Sequence, residues 1–181
     1  MSGRTTATKI VLIGPEKCGK SSIANFLANE KGKLKDTKDI EYQPTTGVRV
    51  LEFETGRDRG SAASKTQTRS VELWDCSGNQ KYETCWPAIL NDVDAVVLVF
   101  NPDNHAHLNE IALWYDEFVS KANVPVSRCV VFAHHMKSAV GSQMQLRVPH
   151  AMSRCTLVET DWESDDRVRS SFFRFANAAA N

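Results

Sequence analysis

The octapeptide Gly14-Pro15-Glu16-Lys17-Cys18-Gly19-Lys20-Ser21 constrains this chain more than any other stretch. It matches G-x-x-x-x-G-K-[ST] and lies between a β-branched run, Thr8 to Ile13, and a segment in which Ile23, Phe26 and Leu27 recur at helical spacing. Strand, glycine-containing loop and helix together make a phosphate cradle. The glycines let backbone N–H groups wrap an anion with no Cβ in the way, and the helix N-terminus adds partial positive charge. The predicted phosphate-binding set is therefore Gly14, Glu16, Lys17, Cys18, Gly19, Lys20, Ser21 and Ser22. Lys20 would reach the β and γ phosphates, and the Ser21 hydroxyl would ligate Mg²⁺. The bland alternative is a strand-to-helix turn with a chance G-K-S, and the flanking periodicities argue against it.

The rest of the chain supplies the sheet that such a loop needs. Val48 to Glu54 and Ser70 to Asp75 alternate with period two and read as a hairpin. Its connection, TGRDRGSAASKTQTR at about 55–69, is far longer than the ~2 to 5 residues of an ordinary hairpin loop and reads as an extended, solvated loop. Ala95 to Phe100 and Arg128 to Ala133 are continuous apolar runs, as expected of strands covered on both faces. Between them Leu108, Ile111, Ala112, Tyr115, Phe118 and Val119 trace an amphipathic helix, while His105 and His107 at its start read as a solvated pair. Thr156 to Glu159 is a weaker last strand before a helix carrying Val168, Phe172, Phe173 and Phe175. The predicted fold is α/β: a mostly parallel six-stranded sheet with one antiparallel strand, helices on both faces, and a single domain over residues 1–181.

Composition excludes several function classes. Lys plus Arg equals Asp plus Glu at 22 each, so no global field favours nucleic acid or an anionic membrane, and a specific site must carry the function. Five cysteines, odd in number and without a C-x-x-C pair, suit reduced thiols in a cytoplasmic compartment. No apolar segment approaches the ~18 residues of a membrane span. Residue 2 is Ser rather than the Gly of a myristoylation signal, and no cysteine ends the chain for prenylation, so no direct membrane anchor is expected.

Two further elements converge on the cradle. In Trp74-Asp75-Cys76-Ser77-Gly78 a hairpin strand delivers Asp75 to its C-terminal end, where open α/β sheets hold their ligands. Asp75 would hold Mg²⁺ through a water, and the Gly78 N–H would meet a γ-phosphate. Pro44-Thr45-Thr46-Gly47 offers the Thr45 hydroxyl to the same metal. These motifs resemble those of the Ras superfamily of small GTPases, and P-T-x-G with W-D-x-x-G is closest to its Rab and Arf branches. More narrowly, YQPTTGVRVLEFE, ELWDCSGNQKYETCWPAIL and FAHH resemble the Rab-like small GTPase subunits of intraflagellar transport complex B. The resemblance covers nearly the whole chain. It implies a Ras-like G domain binding GTP or GDP with Mg²⁺, a coiled-coil heterodimer of that complex as partner, and a place in the cilium or flagellum and its basal region.

Against that pattern the chain departs at VVFAHHMKS, residues 130–138. Small GTPases end this strand in N-K-x-D, whose aspartate accepts from guanine N1–H and N2–H. Here His134 stands for the Asn, His135 for the Lys and Lys137 for the Asp, so a donor replaces the acceptor that reads guanine. The two histidines have no further ligand at metal spacing and are expected at the rim of the base pocket. With Thr160 and Asp161, from a segment similar to the E-T-S-A loop of Rab proteins, they complete the expected base-binding set. Asn79 occupies the position of the glutamine that orients the attacking water, one methylene shorter, and Glu16 brings a carboxylate towards the γ-phosphate, so hydrolysis is expected to be weak. The expected partner face comprises Thr45, Val48, Tyr82 and Trp86. Two other readings stay open: an ATP-dependent phosphotransferase, and a structural module that holds no nucleotide.

Overall fold

The computed structural model describes residues 7–55, 68–137, 146 and 148–180. Most of the long hairpin loop and the polar stretch Ser138 to Ser142 lie outside the described residues. The elements in chain order are β1 (Thr8–Ile13), α1 (Lys20–Ala28), β2 (Val48–Glu54), β3 (Ser70–Cys76), α2 (Trp86–Leu90), β4 (Ala95–Phe100), α3 (His105–Tyr115), β5 (Cys129–His134), β6 (Thr156–Thr160) and α4 (Asp165–Ala179). They build one six-stranded sheet in the order β2-β3-β1-β4-β5-β6. Every pairing is parallel except β2 with β3, which runs antiparallel from Val48 opposite Cys76 to Glu54 opposite Ser70.

The apolar runs explain this order. All six residues of β4 and all six of β5 are buried, because helices cover the sheet on both faces. On one face Ile23, Phe26 and Leu27 of α1 and Val168, Phe172 and Ala176 of α4 close over Ile10, Leu12, Val97 and Phe132. On the other, Ile111 and Trp114 of α3, with Phe118 just beyond it, pack on Val11, Val96, Leu98 and Val131. The C-terminal ends of β1 and β3 lie side by side, with Leu12 opposite Asp75. That alignment brings the glycine-containing loop after β1 beside the Trp74 to Gly78 segment. No helix among the described residues is long and apolar enough to cross a membrane.

The expected solvated pair at the start of α3 is half corrected. His105 is exposed, whereas His107 is buried, and its Nδ1 accepts the Asn101 N–H at 3.2 Å. Position 107 faces inward because α3 packs along the sheet towards the glycine-containing loop. Burial lowers its pKa below the ordinary imidazole range, so the ring is neutral at pH 7.

Candidate functional site

The loop between β1 and α1 is shaped by backbone conformations that only some residues tolerate. Gly14 has φ of +140°, and a Cβ there would stand 2.0 Å from the Val99 carbonyl oxygen. Lys17 takes the left-handed conformation with φ of 56°, which directs its ammonium outward to within 5.4 Å of the Tyr42 ring centroid. Inside the loop the Lys20 ammonium is buried and donates to the carbonyls of Gly14 at 2.9 Å and Pro15 at 2.5 Å. A cation enclosed by a backbone loop and held by two neutral carbonyls and the Cys18 sulfur at 3.7 Å is poised to exchange them for a phosphate oxygen.

Three metal-binding side chains predicted from the sequence behave differently. Ser21 and Thr45 bring their hydroxyl oxygens to 2.9 Å, which closes the 40–47 segment onto the N-terminus of α1. Asp75 is fully buried, and its Oδ2 accepts from Arg49 Nε at 3.1 Å and from the Arg49 guanidinium at 2.6 Å. Its Oδ1 is buried without a hydrogen-bond partner. An unpartnered carboxylate oxygen and a hydroxyl pair are oxygen donors of the kind Mg²⁺ takes, so the chemistry of these residues fits the ion. Arg49 was not anticipated from the sequence, although it stands opposite Asp75 in the β2–β3 register.

Glu16 and Asn79 make one contact. The Asn79 Nδ2 donates to Glu16 Oε1 at 3.1 Å, and its Oδ1 accepts the Lys81 N–H at 3.0 Å as the cap of a short 3₁₀ turn. Both ends of the amide are thereby engaged, one of them by the carboxylate. Gly78 lies against the phosphate loop, where a Cβ would meet Glu16 N at 2.5 Å.

A cavity of about 880 Å³ is lined by Glu16 to Ser22, by Thr37 to Thr46 in part, and by Arg49, Ser77, Gly78, Met136 and Trp162, while Gly14, Asp75 and Asn79 stand outside that lining. The predicted base-binding residues His134, His135, Lys137, Thr160 and Asp161 are not in that lining. His134 lies inside rather than at a rim: it is fully buried, its Nδ1 is 3.1 Å from Thr160 Oγ1, and its ring meets Trp162 edge-on at 4.8 Å. A Cβ on Gly19 would touch its Cδ2 at 2.6 Å, so the histidine braces the phosphate loop from below. His135 is buried between Asp103 Oδ1 at 2.8 Å and Glu159 Oε1 at 3.2 Å. Lys137 is exposed, with its N–H given to Asp103, and the Asp161 N–H is given to the Ser164 hydroxyl. Met136 and Trp162, linked by an indole N–H to carbonyl bond of 3.0 Å, supply the wall instead. Sequence reasoning missed both, and the one available signal was an aromatic ring directly after the segment similar to E-T-S-A.

The two histidines titrate in opposite directions. Burial drives His134 down to about 4, so it stays neutral in the fold. For His135 burial opposes charge, but hydrogen bonds to Asp103 and Glu159 outweigh it and raise the pKa. A depressed imidazole costs stability as pH falls from its unfolded value of about 6.5 towards 4, at up to about 1.4 kcal/mol per pH unit. A raised one contributes stability below about 6.5 that is lost as pH rises through the folded pKa. Urea denaturation of His135→Asn is expected to have lost the decline in stability that the parent shows as pH rises above about 6.5, and His134→Asn the decline as pH falls below it. Parallel pH profiles for parent and variants would rule this out.

Against known proteins, the family described as Ras of Complex, Roc, domain of DAPkinase matches residues 9–137. The intraflagellar transport protein 22 homolog of Danio rerio is 36% identical over 168 residues, covering 92% of this chain and 87% of the relative. The chain belongs to the intraflagellar transport protein 22 family. Among solved structures, the GTP-bound crystal structure of T. brucei IFT22/74/81 superposes with a TM-score of 0.71 at 28% identity, covering 97% of this chain and 99% of that one. The GDP-bound T. brucei IFT22 structure gives 0.69 at 27% identity, covering 94% of each. The family fold includes the six-stranded sheet with its antiparallel β2, and membership makes this a small GTPase-type chain of intraflagellar transport.

Proposed function

We propose that this chain binds GTP and GDP with Mg²⁺ in the cradle of Gly14 to Ser22, turns GTP over slowly, and presents its nucleotide-facing surface to a coiled-coil heterodimer of intraflagellar transport complex B in the cilium or flagellum. The observation that carries the reading is the Ser21–Thr45 hydroxyl contact, with Asp75 Oδ1 buried and unpartnered near the C-terminal end of β3. It joins the phosphate loop to the segment that a γ-phosphate orders in switch proteins. The GTP-bound and GDP-bound relatives support guanine, and the family favours this over an ATP-dependent phosphotransferase. When bound, Mg²⁺ would supply charge neutralisation between the phosphates. Ser21 and Thr45 would offer their hydroxyls to it, while Arg49 holds the Asp75 Oδ2. With Lys137 where a carboxylate would pair guanine, discrimination against adenine should be smaller than in domains that keep it.

The Asn79–Glu16 contact supports slow hydrolysis, because an amide held at both ends, by the Glu16 carboxylate and the Lys81 N–H, is not free to turn towards a water. Glu16→Gly releases Asn79 and removes the nearby negative charge; single-turnover hydrolysis is expected to rise by about tenfold, on the scale of one charge-assisted hydrogen bond. An unchanged rate would remove Glu16 from the explanation.

The partner surface follows from exposure. Ile40, Tyr42 and Val50 are large apolar residues open to solvent, and they continue the face of Thr45 and Val48. Trp86 is half-buried against Trp114 at 5.1 Å and Phe118 at 5.2 Å, so its ring serves packing as well. Tyr82 is half-buried under the Lys81 ammonium at 4.9 Å, without such a cluster. Tyr82→Ala is expected to weaken partner binding by about tenfold or more while sparing nucleotide affinity, as an aromatic interface anchor does. A pull-down in which both Tyr82→Ala and Thr45→Ala retain full binding would put the interface elsewhere.

A further inference from the structure

Far from the cradle, at the N-terminal ends of the parallel strands, two thiols face one another. Val130 of β5 pairs with Thr156 of β6, so Cys129 and Cys155 stand side by side one position earlier. Their sulfurs are 3.8 Å apart. Neighbouring strands lie ~4.8 Å apart, inside the ~4.4 to 6.8 Å Cα separation that a disulfide spans, so only the sulfurs need to close up. Cys129 is buried at 2% exposure, while Cys155 is partly open and precedes an edge strand.

We infer that Cys129 and Cys155 form a redox-active dithiol site, which a hydroperoxide converts into an intramolecular disulfide. Cys155 is the attacking sulfur. Once deprotonated it receives hydrogen bonds from the Cys129 thiol and from the Tyr115 hydroxyl, and the first of these chiefly draws its pKa down to about 7. The hydrogen bond to Cys155 and, after it, burial push Cys129 up. The Cys155 thiolate attacks one peroxide oxygen, the O–O bond breaks, and the departing oxygen takes a proton as water or alcohol, leaving a sulfenic acid. Cys129 then attacks that sulfur, the S–O bond breaks, and the hydroxyl leaves as water with the Cys129 proton. Two thiols are oxidised by two electrons in all, and one peroxide is reduced. The disulfide joins the N-terminal ends of β5 and β6. The inference is independent of what the cradle binds.

Three other thiols must be distinguished from the pair. Cys18 and Cys76 are buried, and burial pushes Cys76 up to about 12. Cys85 is exposed and would form intermolecular products. The test therefore uses the full chain with Cys85→Ser, treated with stoichiometric hydrogen peroxide near neutral pH, alkylated, and analysed by intact mass and peptide mapping. The expected product is two hydrogens lighter, links the Cys129 and Cys155 peptides, reverts with dithiothreitol, and melts higher by on the order of 5 °C. In Cys129→Ser the reaction should stop at a Cys155 sulfenic acid trapped by dimedone. Oxidation spread over Cys18 and Cys76, or a Cys155 sulfenic acid that persists while Cys129 is present, would overturn the inference.

Discussion

Lys20→Ala is expected to lower affinity for GTP and GDP by at least about 100-fold, the scale of losing a buried charge-assisted phosphate contact. The Lys20 ammonium is the cation enclosed by the loop, and the carbonyls of Gly14 and Pro15 that now hold it cannot bind an anion in its place. Ser21→Asn should match it by a different route. The Ser21 hydroxyl lies 2.9 Å from that of Thr45, so an amide branch there displaces Thr45 and removes a metal ligand together. Titration of a fluorescent GTP analogue measures both, and unchanged affinity in either variant would defeat the phosphate-loop assignment.

Gly78→Ala should be damaging for the addition of a single methyl, second among the described glycines to a methyl on Gly14. The added carbon would stand 2.5 Å from Glu16 N and 2.6 Å from the Pro15 carbonyl carbon, both backbone atoms in a loop fixed by its own geometry. Neither can rotate away, so the 77–79 segment must withdraw, breaking the Asn79–Glu16 bond. Such overpacking costs about 1 to 3 kcal/mol, and the preference for GTP over GDP should fall with it, since the Gly78 N–H no longer reaches the cradle. Chemical denaturation and competition between the two nucleotides measure the two effects. Stability and preference both equal to the parent would mean that the loop is free to move and that the close approach is incidental.

The sheet was legible because its signals are local. The strands at Val48–Glu54 and Ala95–Phe100 were read with their observed bounds, since alternation and continuous burial each leave a one-dimensional trace. The phosphate loop was legible for the same reason, with every residue of the motif contiguous. What escaped depends on register or on contacts between distant segments. Arg49 meets Asp75 only once β2 and β3 are aligned, and a hairpin with a long connection does not fix its own register. His107 read as solvated because its neighbour His105 is polar and exposed, yet a helix turns the two positions to different faces. Leu34, fully buried in a short turn inside a Lys-rich stretch, gives no periodic signal. The substitution of the guanine reader was visible as an absence, but the Met136–Trp162 wall facing the cavity joins residues 26 positions apart.

The cradle is expected to hold a guanine nucleotide. The most direct measurement is to purify the full chain natively in Mg²⁺, denature it, and identify the released nucleotide by ion-pair chromatography. GDP or GTP near one per chain is the expected result, with none released from Lys20→Ala. Adenine nucleotide in its place would contradict the claim and restore the phosphotransferase reading, and an empty cradle would contradict it in favour of a structural module.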